Sequence, residues 1–220
     1  MSNQSLVSNE SRDRVRGIAK PIALALGRIG LTPNGLTVIG FAGTAVAAAA
    51  AAAQWWLAAG ILTLLFGIFD MFDGTLARAT GRASKFGAFL DSTLDRTGES
   101  LVLAGAAYGA AVAGEPVLTG LAALAITFAS VVTYTRAKAD IFGIRGDVGV
   151  APRPERLVLL TVGLVLATLS WTDTNVWARG STWLGIALGL IALLSAVTVV
   201  QRILNVRRQL DEVTSTPSTN

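Results

Sequence analysis

The sequence predicts an all-α integral membrane protein with six transmembrane helices and an N-terminal amphipathic surface helix, on three observations. Of its 220 residues 52% are hydrophobic and only 15% charged, where a soluble domain carries about 25% charged residues. Apolar segments recur at 35–53, 57–77, 85–113, 117–134, 157–171 and 183–200 and are read as the six spans. The cations gather at one set of segment ends: of 18 Lys and Arg, the short loops 54–57, 113–116 and 172–181 hold only Arg179. That asymmetry is the positive-inside pattern and predicts cytoplasmic termini.

Residues 1–30 form a leader. Its first nine residues read as disordered, and Ser11 to Leu26 as a helix lying on the membrane surface, broken or kinked at Pro21. Arg12, Arg14, Arg16 and Lys20 fall among polar residues with no apolar core, so the leader is not a cleavable signal peptide. Residues 31–206 hold the six spans. Leu31-Thr32-Pro33-Asn34 opens the first, with Asn34 as its polar cap. Gln54-Trp55-Trp56 closes it at an interface, and the second span returns to Ala77. The third starts at Lys85, Glu115-Pro116 turns into the fourth, and the fourth ends before Arg136 and Lys138. A polar loop over 139–156 contains Gly143, Arg145, Gly146, Asp147, Gly149 and Arg153-Pro154-Glu155-Arg156, and precedes the fifth and sixth spans. Gly185 and Gly189, four apart, suit close helix packing. Residues 207–220 are a polar tail.

Chemistry concentrates in Asp70 to Asp95. No charge occurs from residue 29 to residue 69, and then four aspartates appear. Asp70 lies 14 residues from Trp56, or about 21 Å of helix against about 30 Å of hydrocarbon. A carboxylate at such depth is costly and usually functional. Asp70 and Asp73 share one helix face, as do Asp91 and Asp95, and the turn between them brings the two faces together. Converging carboxylates repel unless cations intervene. The chain has neither Cys nor His, so oxygen-only ligands point to a hard ion, Mg²⁺ with Mn²⁺ or Ca²⁺ possible, and Mg²⁺ commonly brings substrate phosphates with it. Any general base must be a carboxylate, a Lys or a Tyr.

The spacing Asp70, Asp73-Gly74, Ala77-Arg78, Gly87, Asp91, Asp95 resembles the signature of the CDP-alcohol phosphotransferase family at all eight fixed positions. The resemblance implies a catalytic domain over the six spans that transfers a substituted phosphate from a CDP-alcohol to a second alcohol and releases CMP. It implies two divalent ions on Asp70, Asp73, Asp91 and Asp95, with Asp91 shared and Asp95 also the base for the acceptor hydroxyl. Pro33, Asn34, Thr37, Gly74, Arg78 and Ser84 match positions that contact the CDP-lipid. A homodimer in the plasma membrane, among membrane lipids, is likewise implied.

Tyr134-Thr135-Arg136-Ala137-Lys138, Arg153-Pro154-Glu155-Arg156 and Gln201-Arg202 resemble the phosphatidylinositol phosphate synthase branch of that family. There CDP-diacylglycerol is the donor and inositol phosphate the acceptor, and Arg136, Arg156 and Arg202 would cage the acceptor phosphate. Arg136 stands where that branch has Lys, which keeps the charge and alters the geometry. Lys138 stands where it has Arg, and Gly146 to Gly149 is close to its glycine-rich loop. Glycerol 3-phosphate as acceptor, giving phosphatidylglycerol phosphate, and an archaetidyl donor are the alternatives within the family. A divalent-cation transporter would also use intramembrane carboxylates, but leaves Gly74, Arg78, Ser84 and Gly87 without a role. The net charge of +4 is distributed at span ends, which fits lipid and phosphate contact and no nucleic acid.

Overall fold

The structure, a computed structural model, describes residues 9–144, 146, 148–169, 175 and 179–215. The expectations for residues 1–8, Arg145, Asp147, Trp171 and 216–220 fall outside the described residues. Among the described residues the fold is all helical: α1 Asn9–Arg28, α2 Pro33–Ala52, α3 Trp56–Phe69, α4 Met71–Ala79, α5 Lys85–Val112, α6 Pro116–Ile141, α7 Arg153–Leu166 and α8 Gly180–Ser215.

Several boundaries differ from the sequence expectation for local reasons. α1 runs through Pro21 without a break. α2 is capped by Thr32 rather than Asn34: Thr32 Oγ1 accepts the Gly35 N–H at 3.1 Å. Pro33 then takes the first helical position, where its missing N–H is not needed. The expected single second span divides at Asp70, which joins α3 to α4 while its own N–H still bonds Phe66 O at 3.1 Å. α5 matches its expectation to within a residue, and Ser84 caps it by accepting the Gly87 N–H at 3.0 Å. α6 continues past Tyr134 to Ile141, and α8 past Val200 to Ser215, because charged side chains leave the apolar layer without stopping a helix. α7 begins at Arg153 instead of Leu157, since Pro154 is compatible with a first helical turn.

Among the described residues four stretches are long and apolar enough to span a bilayer: α2, α3 with α4, α6 and α8. The protein is therefore a membrane protein. α5 is longer than some of these at 28 residues but carries Asp91, Asp95, Arg96 and Glu99. α7 has only 14 residues.

The helices close a ring in which α2 packs on α5, α5 on α6, α6 on α8, α8 on α7, α7 on α3 and α3 on α2. Ala47, Ala51, Leu103, Ala106, Leu160, Leu164, Leu188 and Ile191 fill its centre. Lipid tails provide no hydrophobic drive for helix association, so close packing must supply it. Along α5, a Cβ on Gly105 would collide with the Ala48 carbonyl, and one on Gly109 would strike Ala51 O and Trp56. Gly185 and Gly189 meet only ordinary side-chain contact from Leu118 and Leu121 of α6, so the close approach expected at this pair is found instead at Gly105 and Gly109 of α5. A second, smaller core joins Ala23 of α1, Leu36 of α2 and Leu76 of α4.

Replacing Gly105 by Leu should lower stability by about 1–3 kcal/mol through overpacking, seen as a lower thermal midpoint in detergent micelles. Gly120→Leu, where a new Cβ meets nothing within 4 Å, should leave the midpoint in place.

Candidate active site

The joint at Asp70 places two carboxylates on different supports. Asp70 closes α3, and α2 makes room for it with Gly40, whose Cβ would otherwise run into Asp70 Oδ1. Asp73 sits in the first turn of α4, buried, and is held by neutral donors: the Thr37 hydroxyl reaches its Oδ2 at 2.6 Å and the Gly74 N–H meets its Oδ1. Asp91 and Asp95 project from successive turns of α5, and Glu99 follows one turn later on the same face. The hairpin thus brings both acidic pairs to one end of the ring, where Asp70, Asp73 and Asp95 all act electrostatically on Asp91 or on one another.

Two arginines from the first turn of α7 enter this acidic cluster. Arg153 bridges helices, with Nη1 2.5 Å from Asp95 Oδ2 and Nη2 3.1 Å from Asp70 Oδ2. Arg156 forks onto Glu99, Nε to Oε1 at 2.7 Å and Nη2 to Oε2 at 2.8 Å, and donates Nη1 to Ala151 O at 2.8 Å. Among the described residues no three acidic side chains converge on a point that would hold one ion. The reason is visible in their partners, since Asp70 and Asp95 turn to Arg153 and Asp73 turns to Thr37. The donor set still fits a divalent ion: every donor is a carboxylate or hydroxyl oxygen, and the guanidinium between Asp70 and Asp95 is a stand-in cation.

The six residues expected at the nucleotide come together. Pro33, Asn34, Thr37, Gly74, Arg78 and Ser84 line one cavity of about 180 Å³, and Asp73 and Asp91 form part of its wall. Gly74 lies inside α4 rather than at a helix end, and its missing side chain leaves space for the Arg78 guanidinium, whose Nη1 would be 3.2 Å from a Cβ there.

The three arginines expected at the acceptor phosphate are placed differently. Arg136 is exposed on α6. Arg156 and Arg202 are buried, and both hold the segment before α7: Arg156 through Ala151 O, Arg202 through Val148 O at 2.8 Å, with a further bond from Arg202 to Val132 O. The Ala151 N–H also donates to Thr198 Oγ1 of α8 at 3.0 Å. Sequence reasoning passed over Arg153 and Glu99. The available signals were the spacing of Arg153 and Arg156, one turn apart, and of Asp91, Asp95 and Glu99, each four apart.

A family model for CDP-alcohol phosphatidyltransferase matches residues 30–200. The phosphatidylinositol phosphate synthase of Cutibacterium acnes is 39% identical over 194 residues, covering 87% of this chain and 93% of that one. That of Mycobacteroides abscessus is 36% identical over 200 residues, covering 90% and 87%. The archaetidylinositol phosphate synthase of Pyrococcus horikoshii is 32% identical over 201 residues, covering 91% and 96%. Among solved structures, Mycobacterium tuberculosis phosphatidylinositol phosphate synthase with CDP-DAG bound superposes with a TM-score of 0.77 at 31% identity, covering 86% of this chain and 93% of that one. The same enzyme with manganese and citrate gives 0.77 at 31% identity, covering 86% and 88%. With the signature aspartates on one end of a matching helical ring, and most of its length matched, the chain belongs to the CDP-alcohol phosphatidyltransferase family.

Proposed function

We propose that this enzyme transfers a phosphatidyl group from CDP-diacylglycerol to inositol phosphate, releasing CMP and forming phosphatidylinositol phosphate, in a reaction that needs a divalent metal. The observation that carries the proposal is the single cavity in which the six nucleotide-matching residues meet Asp73 and Asp91. Asp70, Asp73, Asp91 and Asp95 would hold two ions, Mg²⁺ or Mn²⁺, with Asp91 shared. When bound, the ions supply Lewis-acid neutralisation of the diphosphate and of the departing CMP. Manganese in a similar enzyme supports this donor set.

The chain's own residues account for the remaining work. Arg78, exposed beside Gly74, can fork onto phosphate oxygens of the donor. Thr37 and the Gly74 N–H fix the orientation of Asp73. Asp95 accepts the proton of the acceptor hydroxyl as that oxygen bonds to the lipid phosphorus, while the phosphorus–oxygen bond to CMP breaks and CMP leaves with the electron pair. Arg156 uses three N–H groups on Glu99 and Ala151, which leaves two for an acceptor phosphate. Arg136 is the exposed member of the acceptor set, and Arg202 completes it from α8.

The relatives also favour the acceptor assignment. Their names pair one product headgroup, inositol phosphate, with two lipid types, phosphatidyl and archaetidyl. The shared element is therefore the acceptor. A transporter fits poorly, because Leu103, Leu160, Leu164 and Ile191 fill the ring beneath the aspartates. In the bilayer, α5 and α7 would join the four apolar stretches to make six spans, with α1 against α4 at the surface and both termini and the site cytoplasmic. The assembly would be a homodimer in the plasma membrane.

Four outcomes test this. Purified protein with Mg²⁺ should release CMP from CDP-diacylglycerol when inositol 1-phosphate is added. Release with glycerol 3-phosphate alone would replace the acceptor. Asp95→Asn should cut turnover by about 10²-fold or more, the usual scale for a lost general base, while CDP-diacylglycerol binding by calorimetry persists. Arg136→Ala should raise the KM for inositol phosphate about tenfold at unchanged kcat. Arg156→Ala should instead lower the thermal midpoint as well, since it strands the largely enclosed Glu99 without its partner, a loss that for a fully buried pair costs about 3–5 kcal/mol.

A further inference from the structure

Arg153 and Arg156 leave the same turn of α7 and meet neighbouring carboxylates, yet their ion pairs are built differently. Arg156 is 3% exposed, forks in parallel onto one carboxylate and places its third contact on a carbonyl. That is a satisfied pair. The Arg153 side chain is 34% exposed, spends one nitrogen on each of two carboxylates from different helices, and leaves its buried Nε without a hydrogen-bond partner. A buried donor left unmade costs about 1–3 kcal/mol. Its position at the first residue of α7 also sets a cation against the positive end of the helix dipole. Neither helix stability nor hydrogen-bond satisfaction accounts for Arg153. The two carboxylates do.

Those carboxylates, Asp70 and Asp95, belong to the set assigned above to the ions. Their Oδ2 atoms face Nη2 and Nη1 at 3.1 and 2.5 Å. An Mg²⁺ needs oxygens at about 2.0–2.1 Å. A guanidinium and a divalent ion therefore cannot use the same two oxygens together. Partial exposure gives the Arg153 side chain somewhere to go, and Arg156 keeps the start of α7 anchored when it leaves.

We propose that Arg153 is a built-in counter-cation for Asp70 and Asp95, a positioning residue that keeps the two carboxylates together and that a divalent ion must displace before Asp95 can serve as base. This rests on the metal-dependent transfer proposed above. The Asp70–Asp95 side is then the weaker metal side, because the guanidinium competes there, and the Asp73–Asp91 side, whose buried member is held by neutral donors, fills first.

The test is Mn²⁺ titration of the full chain in detergent micelles, followed by the paramagnetic resonance signal of free Mn²⁺, for wild type, R153Q, R153K and R96Q. If Arg153 fills its bridge nine-tenths of the time, R153Q should tighten the weaker Mn²⁺ class about tenfold. R153K, which keeps the charge but cannot span two carboxylates, should tighten it less. R96Q removes the same charge from an exposed residue beside Asp95 and should change it least, which separates displacement from general charge effects. In thermal unfolding, R153Q should lose more midpoint in EDTA than in Mn²⁺, whereas a merely structural arginine would cost the same in both. Mn²⁺ affinity in R153Q and R153K no tighter than in R96Q overturns the proposal while leaving the transferase assignment intact. Wild type that takes up no Mn²⁺ and releases no CMP overturns both.

Discussion

Four aspartates and a glutamate gathered at one end of an apolar helical ring impose the constraint on which the rest of the architecture depends. Each carboxylate there has given up water, and their mutual repulsion is weakly screened by the surrounding hydrocarbon. The fold answers with three kinds of partner. Neutral donors hold Asp73, a parallel fork holds Glu99, and a bridging guanidinium holds Asp70 with Asp95. None of these partners comes from the helix that carries the acid, apart from the Gly74 N–H. The ring must therefore close correctly before the cluster can exist at all.

Closure in turn rests on small residues. α5 brings Gly105 and Gly109 against the backbone of α2, so the helix bearing Asp91 and Asp95 lies close enough to α2 for Thr37 and Asp73 to face Asp91 across one cavity. The segment before α7 is fastened from two directions, by Arg156 from its own helix and by Arg202 and Thr198 from α8. These contacts set where Arg153 emerges.

Much of this was legible in the sequence, and the parts that were not have a common cause. The aspartate spacing is local, so the pairs on α4 and α5 and the turn between them could be read directly. The six residues expected at the nucleotide followed from resemblance, and they line one cavity. Cap identity was misjudged at Asn34 because Thr32 offers the same chemistry two residues earlier, and only the backbone decides between them. Asp70 marks a charge in an apolar run but not a joint in the helix, since Phe69 and Met71 on either side are both apolar and compatible with a continuous span. Arg153 was given no role at the site because its partners lie 58 and 83 residues away. A cation in an RPER stretch at a span end looks the same whether it meets solvent, a lipid headgroup or a buried acid.

The smaller core of Ala23, Leu36 and Leu76 is separate from the large one that fills the ring. Its members come from α1, α2 and α4, and Leu36 and Leu76 flank cavity residues on both helices, Thr37 on α2 and Gly74 and Arg78 on α4. Inheritance can therefore act on the two halves at different rates. Substitutions in the small core act on the wall of that cavity, whereas the alignment of α5 with its acids and of α7 with its arginines rests on the large core. One half of the protein can thus vary in its packing while the core that closes the ring stays fixed.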